Sequence, residues 1–152
     1  MDYIERFVDR FSESSMTSLI KPETVEDISN LERRFEIKLP NDYKIFLKNY
    51  GNIWTPTILD KVVDNDLNFY DVQQFWSIEA IILDIDNGWT AQTGQDILPF
   101  ASDCSGNLFC FTLDDLRSGK NDCEIHFYDH DFDTFENLSK SFKEWIEQYN
   151  EI

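Results

Sequence analysis

Cationic side chains are scarce in this chain. Its 152 residues hold 13 Lys and Arg against 30 Asp and Glu, a formal net charge of −17, and the pI is about 4.2. That balance argues against nucleic acid and anionic membranes as partners, because both are held through clustered Lys and Arg. A run of about 20 apolar residues is missing too, so no transmembrane helix is expected. Nor does Met1-Asp2-Tyr3-Ile4-Glu5-Arg6 look like a signal peptide, which would lead from a cationic start into an apolar stretch. A cytoplasmic location is the expectation. Three cysteines (Cys104, Cys110, Cys123), an odd number, read as reduced thiols there.

Catalytic fingerprints are absent as well. The sequence has no phosphate-binding P-loop, no dinucleotide-binding glycine pattern and no G-x-S-x-G elbow. Cys104, Cys110, Cys123 and His126 are zinc-ligand types, but their C-x5-C-x12-C-x2-H spacing lacks the close cysteine pair of a structural site. Asp129-His130-Asp131-Phe132-Asp133 begins like a calcium loop. It then puts Thr134 where glycine belongs and Lys140 where the bidentate glutamate belongs. Asp84 and Asp86 together with that cluster would make a carboxylate set for a small hydrolase, yet the negative field repels a polyanionic substrate. The expectation is a protein that is not an enzyme and holds no cofactor or metal.

What the chain does have is core material and an uneven field. Hydrophobic residues make up 41% and aromatics 15%, enough for a packed interior. Residues 1–50 carry eight Lys/Arg against ten Asp/Glu, while residues 51–152 carry five against twenty. The acidity therefore belongs to the later two-thirds. Ile4, Phe7, Val8 and Phe11 form one helical stripe. A Ser/Thr-rich gap (Ser14, Ser15, Thr17, Ser18) separates it from a second helix with Thr24 as N-cap and Val25, Ile28, Leu31 and Phe35 facing inward. Leu39-Pro40 ends that helix. Tyr43, Phe46, Leu47 and Tyr50 mark a third, stopped at Gly51.

Beyond Gly51 the texture turns towards strand. Asn52 to Thr55 and Thr57 to Leu59 read as extended around Pro56, and Leu67 to Trp76 contains a further strand. Ser77 caps a short helix with Ile78, Ile81, Ile82 and Ile85 on one face; a strand over Ala80 to Asp86 is the competing reading. Ile97 to Phe100, Asn107 to Leu113 and Glu124 to Tyr128 read as strands, with a hairpin turn at Ser105-Gly106-Asn107. Leu138, Phe142, Trp145, Ile146 and Tyr149 make a last amphipathic helix capped by Ser139. The pattern predicts one α+β domain over residues 1–152, an antiparallel sheet with helices packed against it.

The segment from Thr24 to Gly51, with Leu39-Pro40-Asn41-Asp42-Tyr43 and Phe46-Leu47 before the glycine, resembles the opening signature of the SUKH superfamily, to which fungal cell-wall-synthesis regulators of the Smi/Knr type belong. Ile97-Leu98-Pro99-Phe100-Ala101-Ser102-Asp103 running into Asn107-Leu108-Phe109-Cys110-Phe111 resembles it too. So does Ile125-His126-Phe127-Tyr128-Asp129-His130-Asp131 before the last helix. The resemblance implies an α+β fold and, for most bacterial members, an immunity protein that neutralises a polymorphic toxin, often a nuclease, by stoichiometric binding. An interaction module that regulates host proteins is the alternative. An acidic inhibitor suits a nuclease, whose active-site surface must be basic. Candidate partner contacts are Asp84, Asp86, Asp103, Asp129, Asp131 and Asp133, with Trp54 and Trp89 as apolar anchors.

Overall fold

The computed structural model describes residues 2–13 and 21–152; the Ser/Thr-rich gap from Ser14 to Ser18 lies outside them. Helix α1 (Tyr3–Phe11) starts at Asp2, whose carboxylate accepts from the Glu5 N–H, and buries Ile4, Phe7, Val8 and Phe11. Helix α2 (Val25–Phe35) is capped by Thr24, which accepts from the Asp27 N–H at 3.0 Å. Ile28 and Leu31 are buried, but Val25 is 64% exposed and Phe35 only half-buried. Val25 is the first residue of the helix and faces outward, so the apolar face is narrower than its spacing suggests. Glu32 then holds the break that follows, accepting from the Leu39 N–H at 2.8 Å and pairing with Lys44 Nζ at 3.1 Å.

Helix α3 (Asn41–Asn49) buries Tyr43, Phe46 and Leu47. It ends at Gly51, where φ is +68° and a Cβ would lie 2.2 Å from the Lys21 carbonyl oxygen. Only glycine meets both demands. The extended reading of Thr57 to Leu59 is incorrect: helix α4 (Thr57–Asp64) begins there. Pro56 already has helical φ and ψ, Ile58 is fully buried, and Thr55 is held by its hydroxyl donating to Val72 O at 2.8 Å. Burial of Ile58 thus outweighs the strand preference of Thr-Ile. Strand β1 (Gln74–Phe75) leads into helix α5 (Ile78–Asp86), capped by Ser77 as expected, and a 3-10 turn follows at Ala91–Thr93.

Strands β2 (Ile97–Ser102) and β3 (Leu108–Thr112) form the expected hairpin. A short helix, α6 (Leu113–Arg117), capped by Thr112, connects to β4 (Ile125–Asp129). Next comes β5 (Thr134–Ser139), which the periodicity does not reveal. Leu138 belongs to this strand and not to the last helix, α7 (Phe142–Asn150), whose cap is Ser141 and not Ser139. The reason is a bulge. Ile125 pairs with Ser139 and His126 with Asn137, leaving Leu138 as an extra residue. Phe135 and Leu138 therefore sit three apart, which imitates a helix.

The sheet is a five-stranded antiparallel meander in the order β1-β2-β3-β4-β5. Opposed residues on neighbouring strands share a face. One cross-strand row, Phe75–Ala101–Phe109–Phe127, faces the helices. Trp145 of α7 packs there against Phe75, Phe100 and Phe109, and Phe7 of α1 contacts Phe75 and Tyr149. The expected α+β arrangement is what the structure shows. Among the described residues no helix is long and apolar enough to cross a membrane.

Candidate functional site

The alternate row faces the other way. Trp54 bridges to Gln74, Gln74 pairs with Ser102, Ser102 with Leu108, Leu108 with Tyr128 and Tyr128 with Phe135. This line crosses the whole sheet on the face opposite the aromatic core. It is only partly covered. Trp76 donates its indole N–H to Ser102 Oγ at 3.2 Å, and two adjoining depressions open beside it. The first, about 320 Å³, is walled by Asp84, Trp89, Leu108, Tyr128 and His130. The second, about 270 Å³, is walled by Gln74, Trp76, Leu83, Asp84 and Ser102. Trp89 and Gly106 border both.

Local structure explains why Trp89 is presented. Helix α5 ends at Asn87, Gly88 takes φ +80°, and the Trp89 N–H returns to the Asp84 carbonyl at 3.2 Å. The turn leaves Trp89 55% and Leu83 56% exposed. Two large apolar side chains thus stand together beside the sheet row. Apolar anchors inside a polar rim are the usual composition of a protein-binding patch.

The carboxylates around this patch have unequal roles. Asp84 accepts from the Thr90 hydroxyl and reaches both depressions. Asp103 builds the β2–β3 turn, accepting from the Ser105 N–H (2.9 Å), the Asn107 N–H (2.8 Å) and the Asn107 amide (3.0 Å). Asp129 similarly closes the β4–β5 turn by accepting from the Asp131 and Phe132 N–H groups. Asp133, at φ +52°, accepts from the Tyr128 hydroxyl at 2.8 Å. Asp131 is exposed and, among the described residues, its carboxylate meets only His130, at 3.3 Å. The two turns lie at one end of the meander and are tied together, since the His130 N–H donates to Asn107 Oδ1 at 3.1 Å.

Of the eight expected contacts, Asp84 and Trp89 line the depressions, while Asp103, Asp129, Asp131 and Asp133 belong to the two turns beside them. Trp54 stands at the far end of the row. Asp86 lies apart, paired with Arg34 of α2. Leu83, Leu108, Tyr128 and His130 also belong to the site, although nothing in the sequence pattern marks them as contacts. For Leu108 and Tyr128 the signal is the strand register, which a bulge between Pro99 and Ala101 and another at Ile125 obscure.

Two of the three thiols, Cys110 and Cys123, are packing residues, and Cys104 is exposed. Cys110 is buried with its sulfur 3.6 Å from His126 O, and burial pushes its thiol up; Cys123 is pushed up to about 11 for the same reason. Both stay protonated at neutral pH. Among the described residues no three His, Cys, Asp or Glu side chains converge as a metal site.

The family model for the SMI1 / KNR4 family (SUKH-1) matches residues 22–148. The chain belongs to this family. Among curated proteins none matches it at significant similarity. The matched span of this SUKH-1 member runs from the residue before Glu23 almost to the end of α7, so it takes in the row, both turns and Trp89. Membership accords with a role in binding other proteins, the immunity proteins included.

One carboxylate near the turns carries a stability signature. Asp71 is buried, accepts from the Cys104 N–H at 3.2 Å, and burial, reinforced by the Asp103 charge, holds its carboxyl above the ordinary value. A raised folded-state value means that the protonated form favours folding below the unfolded pKa of about 3.9, and that this contribution is lost as pH rises through the folded value. Asp71→Asn keeps an acceptor for Cys104 without the charge. It should melt above the wild type at pH 7, with the gap closing as pH falls towards 4. A gap that stays constant from pH 7 to 4 in paired thermal melts would remove this account of Asp71.

Proposed function

We propose that this SUKH-1 domain is an immunity protein that neutralises a cognate toxin, a nuclease whose basic active-site surface docks on the outer sheet face. The observation that carries the reading is the exposure of two apolar anchors, Trp89 and Leu83, beside Asp84 and the two joined turns that hold Asp103, Asp129, Asp131 and Asp133. Trp54 extends the anchor row across Gln74. Asp86, already paired with Arg34, adds only to the general field. A nuclease must present Lys and Arg to phosphate, and an acidic surface can occupy the same groups. Complementary fields of this kind speed the encounter of the two proteins, and the gain falls steeply as salt is added.

The test is co-expression with the toxin domain encoded beside this gene, followed by co-purification at low and high salt. Rescue of growth and a one-to-one complex are expected; failure of both removes the toxin assignment. Asp131 gives a finer measurement, because it shapes no turn. Asp131→Lys should slow association about fivefold at low salt while leaving dissociation nearly unchanged. The difference should shrink at about 1 M salt, where the screening length falls to about 3 Å. A change confined to the dissociation rate would place Asp131 outside the steering field.

A further inference from the structure

The two edges of the sheet differ. β1 is two residues long and is continued only by the Trp54 bridge, whereas β5 has six residues and pairs with β4 on one side alone. Among the described residues no backbone hydrogen bond from another element reaches β5. Edge strands are ordinarily protected by Lys, Pro or a cover of chain. Thr134-Phe135-Glu136-Asn137-Leu138-Ser139 has neither residue. β5 itself carries one charge, Glu136; Asp129, Asp131 and Asp133 lie in the turn before it and Lys140 follows it, so the negative field is strongest at the turn end of the edge.

A cavity of about 450 Å³ opens beside this edge on the helix side of the sheet. Its walls are Phe69, Tyr70, Glu136, Leu138, Trp145 and Tyr149, with the amides of Asn68 and Gln148. Tyr70 lies flat on Phe127, with ring centroids 3.9 Å apart, and donates its hydroxyl to Glu136; that hydrogen bond holds the phenol up to about 12. Aromatic faces and one carboxylate around a cavity suit a cationic head group, attracted by ring quadrupole and charge together.

We propose that β5 accepts an extended basic segment of a partner protein as a sixth strand, and that one Lys or Arg of that segment enters the cavity between Glu136, Tyr70 and Tyr149. Strand addition supplies main-chain hydrogen bonds, and alternate side chains supply selectivity. Side chains on the helix side of the added strand pass over Glu136 and the cavity. Those on the other side run beside Phe135, whose ring is stacked on His126 with centroids 4.7 Å apart. The inference rests on the reading of a protein-binding module but not on the outer face as the docking surface.

The experiment titrates isotope-labelled protein with a blocked octapeptide of alternating Arg and Val at low salt. Amide shifts confined to residues 134–139 and their β4 neighbours, with ring shifts at Tyr70 and Tyr149, are expected. Glu136→Lys should weaken binding on the order of tenfold, Glu136→Gln by less, with both variants shown folded by circular dichroism. An alternating Glu and Val peptide should not bind, and N-methylation of alternate peptide nitrogens should abolish binding. No binding by the basic peptide, equal binding by the N-methylated peptide or by arginine amide alone, or shifts centred on Trp89 and Leu108 would each overturn the proposal. Any of these results leaves the toxin complex to be judged by its own co-purification. A lost toxin complex with intact peptide binding would condemn the immunity assignment alone.

Discussion

Trp145→Ala is expected to lower the free energy of unfolding by about 3–5 kcal/mol, the range for emptying a large aromatic site in a close-packed core. Trp145 is 1% exposed. Its ring lies 5.1 Å from Phe109, 5.5 Å from Tyr149, 5.6 Å from Phe100, 5.8 Å from Phe75 and 6.0 Å from Phe142, so it touches three strands and its own helix. Aromatic edge contacts add to the burial term, as with the 90° crossing on Phe100. Domains of this size have only about 5–15 kcal/mol in hand. Urea unfolding should therefore show a midpoint far below that of the wild type with little change in slope. Trp145→Phe should recover more than half of the loss. A cost under about 1 kcal/mol for the alanine variant would show that the core closes without this ring.

If a toxin docks on the outer face as proposed, Trp89→Ala should cost on the order of a hundredfold in affinity for it, the size of a strong interface hot spot. Folding should scarcely notice, because 55% of the residue is already exposed in the free protein. The contrast between the two tryptophans is the informative part. One variant loses stability and, while it remains folded, should keep its affinity; the other does the reverse. Trp89→Phe should fall between, since it retains an aromatic face but loses the indole N–H and part of the ring area lining the depression. Calorimetric titration against the purified toxin domain measures this directly. An alanine variant within threefold of the wild type would move the interface away from the outer face.

Much of the fold was legible because local chemistry and tertiary packing agree. Thr24 and Ser77 cap where their side chains permit, and Gly51 stops α3 because its conformation excludes other residues. Where packing overrides local preference the reading failed, as at Thr57-Ile58. Where a bulge changes the period it failed again, as at Phe135 and Leu138. The aspartates of the site were visible individually, but their grouping was not. Asp86 shares a helix with Asp84 yet meets Arg34, 52 residues away, through the packing of α2 on α5. The surrounding Leu108 and Tyr128 are apolar strand residues like those in the core. Only strand register tells which face each one takes.

The meander has a consequence for synthesis. Each strand pairs with its neighbour in sequence, so the sheet can assemble by short loop closures while the chain is still emerging. Helix α1 is different. Its chief helical contact is α7, and Arg10 donates to the carbonyls of Asn150 and Ile152, while the Asn150 amide donates to Tyr3 O at 2.9 Å. These bonds join residues 140 to 147 positions apart. During translation α1 can meet Phe75 of β1 through Phe7, but its hydrogen bonds to Asn150 and Ile152 must wait until α7 clears the ribosome. A nascent chain stalled before α7 therefore lacks Trp145 over Phe75, Phe100 and Phe109, and that part of the sheet stays open to chaperones.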